Sequence, residues 1–410
     1  MKYVIWFVRL WYAAWMIPAG IEHFYHIYPQ PGAQSPHPLA AQMLDGLLHT
    51  HLFDLVKAVE LLTGLAVLFG YFMPLSLLLC MPVAFCVFWW DAPLSEWSTG
   101  SLIAGARVLG SNLLLGMACI ASFRPMLAAR TTAGDAMQPV RALVAPARVV
   151  FGTWMLLNGL NHFFLSLWST PAGATLLSQE LMSALVASNL LDVCMLIELL
   201  AGALVLSGRY VPAALCTVMA VSTSALYWSV LDHQPLTLAL GLLAFGLNGF
   251  LLLAYRPCFD GALQPSPNTC GESDPHTTWH TTFVRPGGST ARGHYVAALV
   301  PLALAILWYA KKGPAVDYAA WGVLTLVYPA VVLHVRRLHD MARSGWWALV
   351  PTVLSVLAMA VWANRASVGA QLDVVVPWAA LAASLTLAAW CGFSKTNAVP
   401  GVPLPTQVPG

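Results

Sequence analysis

The stretch ELLTGLAVLFGYFMP at residues 60–74 recurs as ELLAGALVLSGRYVP at residues 198–212. Both read E-L-L-x-G-x-x-V-L-x-G-x-x-x-P, at a shift of 138. Just upstream, Asp54 is answered by Asp192 at the same shift. Further out, Arg9, Trp15, Met16, Gly20, His23 and Phe24 recur as Arg148, Trp154, Met155, Gly159, His162 and Phe163, a shift of 139. An apolar composition explains repeated Leu and Val. It does not explain an ordered series of Arg, Gly, His, Asp, Glu and Pro, so the chain contains a duplicated module.

The module belongs in a membrane. The chain is 59% hydrophobic and 9% charged, too little charge to cover a soluble protein of this length. About 20 apolar residues span a bilayer as a helix. Twelve such runs lie near 3–20, 52–70, 72–90, 101–121, 144–167, 189–207, 210–231, 235–255, 294–310, 317–335, 345–363 and 372–392. Runs this long form helices, because a helix satisfies its own backbone groups in lipid. The expected fold is an all-α integral membrane protein of about twelve transmembrane helices. Residues 1–130 form one four-helix unit and 144–260 its repeat. A polar linker follows at 257–292, then a third four-helix module at 293–393 and a disordered tail at 394–410.

Charge placement orients the chain. Lys2, Arg124, Arg130, Arg141, Arg209, Arg256, Arg285, Arg292, Arg336, Arg337, Arg343 and Lys395 fall on one side of a twelve-span arrangement, and loops 21–51, 91–100 and 168–188 hold no Lys or Arg. The positive-inside rule then puts both termini in the cytoplasm, with Lys311, Lys312 and Arg365 as exceptions. The first run carries Arg9 and lacks a convincing signal-peptide cleavage site. The eight cysteines imply no disulfide framework. No phosphate-binding loop, dinucleotide fingerprint, H-E-x-x-H or C-x-x-C is present. Neither nucleotides nor nucleic acid are expected partners; the lipid bilayer is.

The first-helix Arg, N-G-L-N-H-F-F at 158–164 and I-E-L-L-A-G at 197–202 together resemble the DoxX family over both units. That resemblance implies a four-helix bundle per unit. It also implies roles ranging from quinone-linked oxidoreductase subunits to trafficking and chaperone functions. R-R-L-H-D-M-A-R-S-G-W-W at 336–347 is similar to a bacterial membrane family called domain of unknown function 805. The expected location is the bacterial inner membrane.

Charges inside the bilayer are the strongest functional clue, because each costs a few kcal/mol. Arg9 lies about 9 Å along the first helix and Glu60 about 12 Å along the second, at 1.5 Å per residue. Running antiparallel, they could pair, and Arg148 with Glu198 would form the matching structural ion pair. Only the first copy adds Lys57, which aligns with Met195, and Arg107, which aligns with Leu243. Asp54, Lys57 and Glu60 share one helix side. With Arg9 and Arg107 they could receive a quinone head group or a small anion. In that scheme Glu60 and Lys57 manage protons, while Arg9, Arg107 and Asp54 bind the ligand. The alternative is a self-neutralising network without a ligand.

The first outer loop carries His23, His26, His37, His49 and His51. Of these, His23, His26, His49 and His51 are candidate ligands for a metal or haem iron. The alternative is a set of interfacial histidines. Cys258, Cys270, His276 and His280 allow a weak zinc reading at a spacing unlike common zinc sites. Arg336, Arg337, His339, Asp340, Arg343, Trp346 and Trp347 cluster where a helix leaves the membrane, suiting headgroup or partner contact. Trp89, Trp90 and Trp97 read as interfacial belts. Two functions remain: a membrane subunit of a redox system with a soluble or periplasmic partner, or a non-catalytic scaffold, chaperone or transporter.

Overall fold

A computed structural model describes residues 1–26, 37–132, 134, 141–267, 269, 271–312, 318–364 and 369–396. All regular elements among these residues are helices. They are α1 (Lys2–Tyr25), α2 (Pro38–His49), α3 (Leu52–Phe69), α4 (Met73–Asp91), α5 (Thr99–Ala118), α6 (Ile120–Phe123), α7 (Arg141–Leu160), α8 (Leu176–Ala187), α9 (Leu190–Ser207), α10 (Val211–Asp232), α11 (Pro235–Ala254), α12 (Arg292–Lys312), α13 (Tyr318–Asp340), α14 (Leu349–Ala363) and α15 (Ala370–Phe393). Among the described residues ten helices are long and apolar enough to cross a membrane. Of the remaining expected spans, α3 and α13 are 18 and 23 residues long. The chain is an all-α membrane protein.

The chain divides into two compact units, Met1–Pro29 with Leu61–Tyr71 and Asn268–Gly410, and Gln30–Glu60 with Phe72–Pro267. The boundary between them falls inside α3.

Duplication is visible in the helix bounds. Residues 38–49 of α2 become 176–187 of α8, and 52–69 of α3 become 190–207 of α9, both ends shifted by 138. The same shift carries the start of α4 at 73 to the start of α10 at 211. Helices α2 and α8 are an addition to the sequence reading, which gave each copy four helices. At 12 residues each they are too short to span a bilayer.

The helix-ending turn is the same in both copies. Gly70 and Gly208 sit at φ +74° and +71°, where a side chain would clash with its own backbone. Pro74 and Pro212 then occupy the first turn of the next helix, where no N–H partner is needed.

Close approach of the first two long helices also repeats. In the first unit, a Cβ on Gly20 would stand 2.6 Å from Leu61 Cβ, and one on Gly64 would meet Ile17 at 2.8 Å. In the second, a Cβ on Gly159 would stand 2.6 Å from Leu199 Cβ, and one on Gly202 would meet Leu156 at 2.4 Å. These are the same four positions, one copy apart. Glycine lets backbones touch in a membrane, where packing rather than water drives helix association.

Within the second unit the two copies clasp reciprocally. Trp89 Nε1 donates to Ser188 O at 2.9 Å, and its counterpart Tyr227 donates its hydroxyl to Thr50 O. Each donor is 138 residues from the other, and so is each acceptor. Trp90 Nε1 donates to Ala40 O at 3.0 Å and Trp228 Nε1 to Ser178 O at 2.9 Å, again at that shift. Helices α2 and α8 pack together, with a Cβ on Gly46 falling 3.2 Å from Ala184 Cβ. Reciprocity of this kind is the signature of an isologous two-fold interface, here within one chain. Trp89 and Trp90 therefore make specific interhelical bonds; Trp97 is exposed.

In the first unit α1 packs against α12 and α13, and Tyr309 donates its hydroxyl to Trp11 O at 2.8 Å. The stretch expected to be a polar linker is largely built into this unit. Trp279 and Phe283 are almost wholly buried, beside Trp6 of α1. Indoles and phenyl rings bury large apolar areas, so this segment packs as a lid on the helix ends. The tail beyond 396 lies outside the described residues.

Candidate functional site

On α3 the expected polar face forms, but its members pair locally. Lys57 Nζ lies 2.8 Å from Glu60 Oε2, and the ammonium also sits 4.9 Å from the Phe53 ring. The spacing of three residues puts both side chains on one side of the helix. Their side chains are 15% and 4% exposed, so Glu60 is buried and the pair is part-buried. Asp54 faces His51, with Nδ1 at 3.2 Å from Oδ2. Arg107 on α5 donates Nε to Ile103 O of its own helix at 3.0 Å, within Coulombic range of Asp91.

Arg9 has a different setting. Its guanidinium lies 3.8 Å from the centre of the Trp279 ring and donates to Val67 O at 2.9 Å, close to Gly70. A cation on the last carbonyls of a helix suits the negative end of its dipole. Around it, Glu272 accepts from Trp6 Nε1 at 2.8 Å and from Trp279 N at 3.0 Å, while Trp279 Nε1 donates to Leu68 O at 2.9 Å. Lys2 Nζ donates to Thr277 Oγ1 at 2.9 Å. His280 packs on Tyr71. Burial, reinforced by the Arg9 guanidinium, holds His280 below the usual imidazole range.

The expected Arg148–Glu198 ion pair does not form. Gly159 faces Leu199 and Gly202 faces Leu156, so antiparallel α7 and α9 place Glu198 opposite Leu160. Arg148 stands opposite Gly208, 3.8 Å from where its Cβ would be. The two charges are about 18 Å apart along the axis at 1.5 Å per residue. Arg148 approaches the Tyr255 hydroxyl at 3.5 Å. Glu198 is buried with Asn158 facing it, and its Oε2 has no hydrogen-bond partner.

The histidines do not converge. His49 Nδ1 donates to Glu180 Oε1 at 2.7 Å, His26 faces Glu22 at 3.9 Å, and His51 takes Asp54. His23 sits edge-on to Phe24 at 5.1 Å. In the second copy His162 Nε2 donates to Asp192 Oδ1 at 2.7 Å. Among the described residues no group of three or more His, Cys, Asp or Glu could hold a metal ion. Of the zinc candidates, Cys270 lies outside the described residues. Cys258 carries a thiol pushed up by burial, and His276 presents its backbone N–H to Asp274.

Two of the basic residues expected at the headgroups are buried, which corrects that expectation. Arg337 is wholly buried. It donates to Cys391 O at 2.9 Å and Ser394 O at 2.6 Å at the end of α15, and pairs with Asp340. Arg336 gathers the loop before α12. It donates to Ser289 O at 2.9 Å, Thr290 Oγ1 at 3.1 Å, Arg285 O at 3.2 Å and Gly287 O. Planar guanidinium forks suit such carbonyl cages. His339 is exposed and faces Gly288 O at 3.2 Å. Arg343, Trp346 and Trp347 remain exposed, and Trp347 packs edge-on against Trp390.

Residues 291–397 match a family described as a protein of unknown function, DUF805. The DUF805 segment thus coincides with α12–α15, and its Arg336–Arg337 pair ties the loop before α12 and the end of α15 to α13. No curated protein and no solved structure matches the chain.

The sequence reading missed Asn112 and Asn248. Both are buried, on α5 and α11, where Asn112 reaches Leu77 O and Asn248 reaches Ser222 Oγ, each at 3.4 Å. Their shift is 136, the offset that also aligns Arg107 with Leu243, so the repeated Asn was available as a signal.

Proposed function

We propose that this chain is a non-catalytic membrane scaffold of the bacterial inner membrane. Its two copies are DoxX-like bundles, and its arginine-rich helix ends face the cytoplasm, as the positive-inside rule requires. The observation that carries this reading is the part-buried Lys57–Glu60 pair at 2.8 Å. The two residues expected to manage protons for a ligand neutralise each other. Arg337, held by Asp340 and two carbonyls, follows the same pattern. Intramembrane charges that satisfy one another fix helix register and insertion.

The competing reading is a redox subunit that takes a quinone or small anion in the first copy, together with a soluble or periplasmic partner. Its support is the restriction of Lys57 and Arg107 to that copy and the DoxX resemblance. Purified full-length protein distinguishes the two. The scaffold reading expects a spectrum without cofactor bands, and quinone and metal contents well below one per chain. A stoichiometric quinone, haem or metal lost on Lys57→Met or Glu60→Gln substitution would overturn it.

A further inference from the structure

The duplicated arginine is treated differently in the two copies. Arg9 is 2% exposed, stacked on Trp279 and bonded to Val67 O. Arg148, its equivalent, is half-buried and has the Tyr255 hydroxyl at 3.5 Å as its polar contact. Among the described residues no carboxylate and no carbonyl meets it. A guanidinium carries five N–H donors in a fixed fork, and within a membrane span unmet donors of a charged group are costly. Arg148 sits about 10 Å along α7 from Arg141, at 1.5 Å per residue.

The surroundings of Arg148 are cationic. Tyr210 N donates to Ala129 O at 3.1 Å, which places Arg130 and Arg209 on adjoining segments. Gly208 N bonds the end of α9, and Gly208 itself is the residue beside the Arg148 guanidinium. Arg256 directly follows Tyr255, the Arg148 contact. Arg130, Arg209 and Arg256 are exposed. Asp260 is the acidic residue on these segments among those described, and it too is exposed. The positive-inside rule accounts for exposed arginines at a helix end. It does not account for a half-buried arginine whose polar contact is a single hydroxyl at 3.5 Å.

We propose that Arg148 is the base of a binding site for the phosphate of an anionic glycerophospholipid, with Arg130, Arg209 and Arg256 at its mouth. A phosphate presents two oxygens to a guanidinium fork and forms short charge-assisted bonds. Basic pockets at the ends of transmembrane helices suit such headgroups. Arg148 is level with the ends of α9 and α11, where Gly208 and Tyr255 stand, so a lipid whose acyl chains lie along the helices presents its phosphate there. In the first copy Trp279 occupies the face of the arginine that the lipid would use, so the site is specific to the second copy.

The test uses full-length protein in phosphatidylcholine nanodiscs, with and without phosphatidylglycerol. The readout is lipid retained on native mass spectrometry after release into detergent. Wild type is expected to keep a phosphatidylglycerol adduct in preference to phosphatidylcholine. Arg148→Met should weaken that retention by about tenfold or more, the effect of losing a charge-assisted bidentate contact. Arg209→Gln and Arg256→Gln, at exposed positions, should weaken it less and make it less salt-sensitive. Each variant is first shown to be monodisperse with an unchanged near-UV dichroism spectrum. If Arg148→Met does not fold, Arg148→Lys, which keeps the charge but loses the fork, replaces it and should still lower retention. Folded Arg148→Met or Arg148→Lys with undiminished retention would overturn the proposal. So would equal retention of phosphatidylcholine, or displacement of the adduct by inorganic phosphate at matched concentration.

Discussion

Replacing Lys57 by Met isolates the role of the part-buried pair. The substitution is already present in the chain, because Met195 occupies the equivalent place on α9. A methionine is therefore sterically reasonable at that position, and the charge change should dominate. At the observed 2.8 Å, the gross attraction is about 6 kcal/mol at an effective dielectric of 20. Desolvation offsets much of it. Removing one partner strands the other and typically costs about 3–5 kcal/mol. The Lys57 side chain keeps 15% of its exposure, which argues for the lower end, about 3 kcal/mol. Adding Glu60→Gln removes the stranded charge, so the double variant should lie within about 1 kcal/mol of wild type. Denaturant unfolding in mixed micelles, followed by tryptophan fluorescence, reads both values. A neutral Lys57→Met would refute the reasoning, as would a double variant no more stable than the single.

Gly20→Ala and Gly159→Ala should each cost about 1–3 kcal/mol by overpacking, because the new Cβ meets Leu61 or Leu199 at 2.6 Å. The same unfolding assay should return similar losses for both; a tolerated change at either would contradict the shared crossing. Trp89→Phe and Tyr227→Phe each remove one reciprocal bond. Each should cost about 1 kcal/mol from the lost hydrogen bond, with any volume change at Trp89 adding to it. The hydrogen bond and charge of Glu180 raise the His49 pKa. Stability from that pair is therefore fully present below the unfolded imidazole pKa and is lost as pH rises through the folded one. The melting-temperature gap between wild type and Glu180→Gln should shrink from pH 5.5 to pH 8.5, about one to two units either side of the reference imidazole value; a gap that widened would have the wrong sign.

Much of the fold was legible because the duplication acts on residues with distinct chemistry. Gly70 and Gly208, Pro74 and Pro212, and the glycine crossings all lie at positions that the repeat singled out. The partners of the charges were less legible. Distance along a helix, counted from its ends, suggested an Arg–Glu pair in each copy. The glycine crossings set the actual stagger, and in the second copy they carry Arg148 to Gly208 and leave Glu198 with Asn158. Helices α2 and α8 escaped notice because a search for membrane-length apolar runs passes over helices of 12 residues. Trp279 and Phe283 were the available signal that the polar stretch would pack, since large aromatics rarely stand in a free tether. Arg336 and Arg337 looked like headgroup contacts because a sequence does not reveal which loop carbonyls will return to meet them. The pair Trp89 and Trp90 had its signal in Tyr227 and Trp228, at the same shift of 138.

The central claim is that the two copies clasp each other through α2 and α8 as a two-fold pair within one chain. It is tested most directly by joining them. Gly46→Cys and Ala184→Cys, placed in a chain whose eight native cysteines are replaced, would bring two sulfurs together where the Cβ separation is 3.2 Å. Disulfides favour Cβ separations of about 3.5–4.5 Å, so slight relaxation suffices. Mild oxidation in intact membranes, with peptide mass spectrometry of the product, should find this link within single chains and in most of the protein. A folded double-cysteine protein that stays reduced, or that links only between chains, would contradict the account.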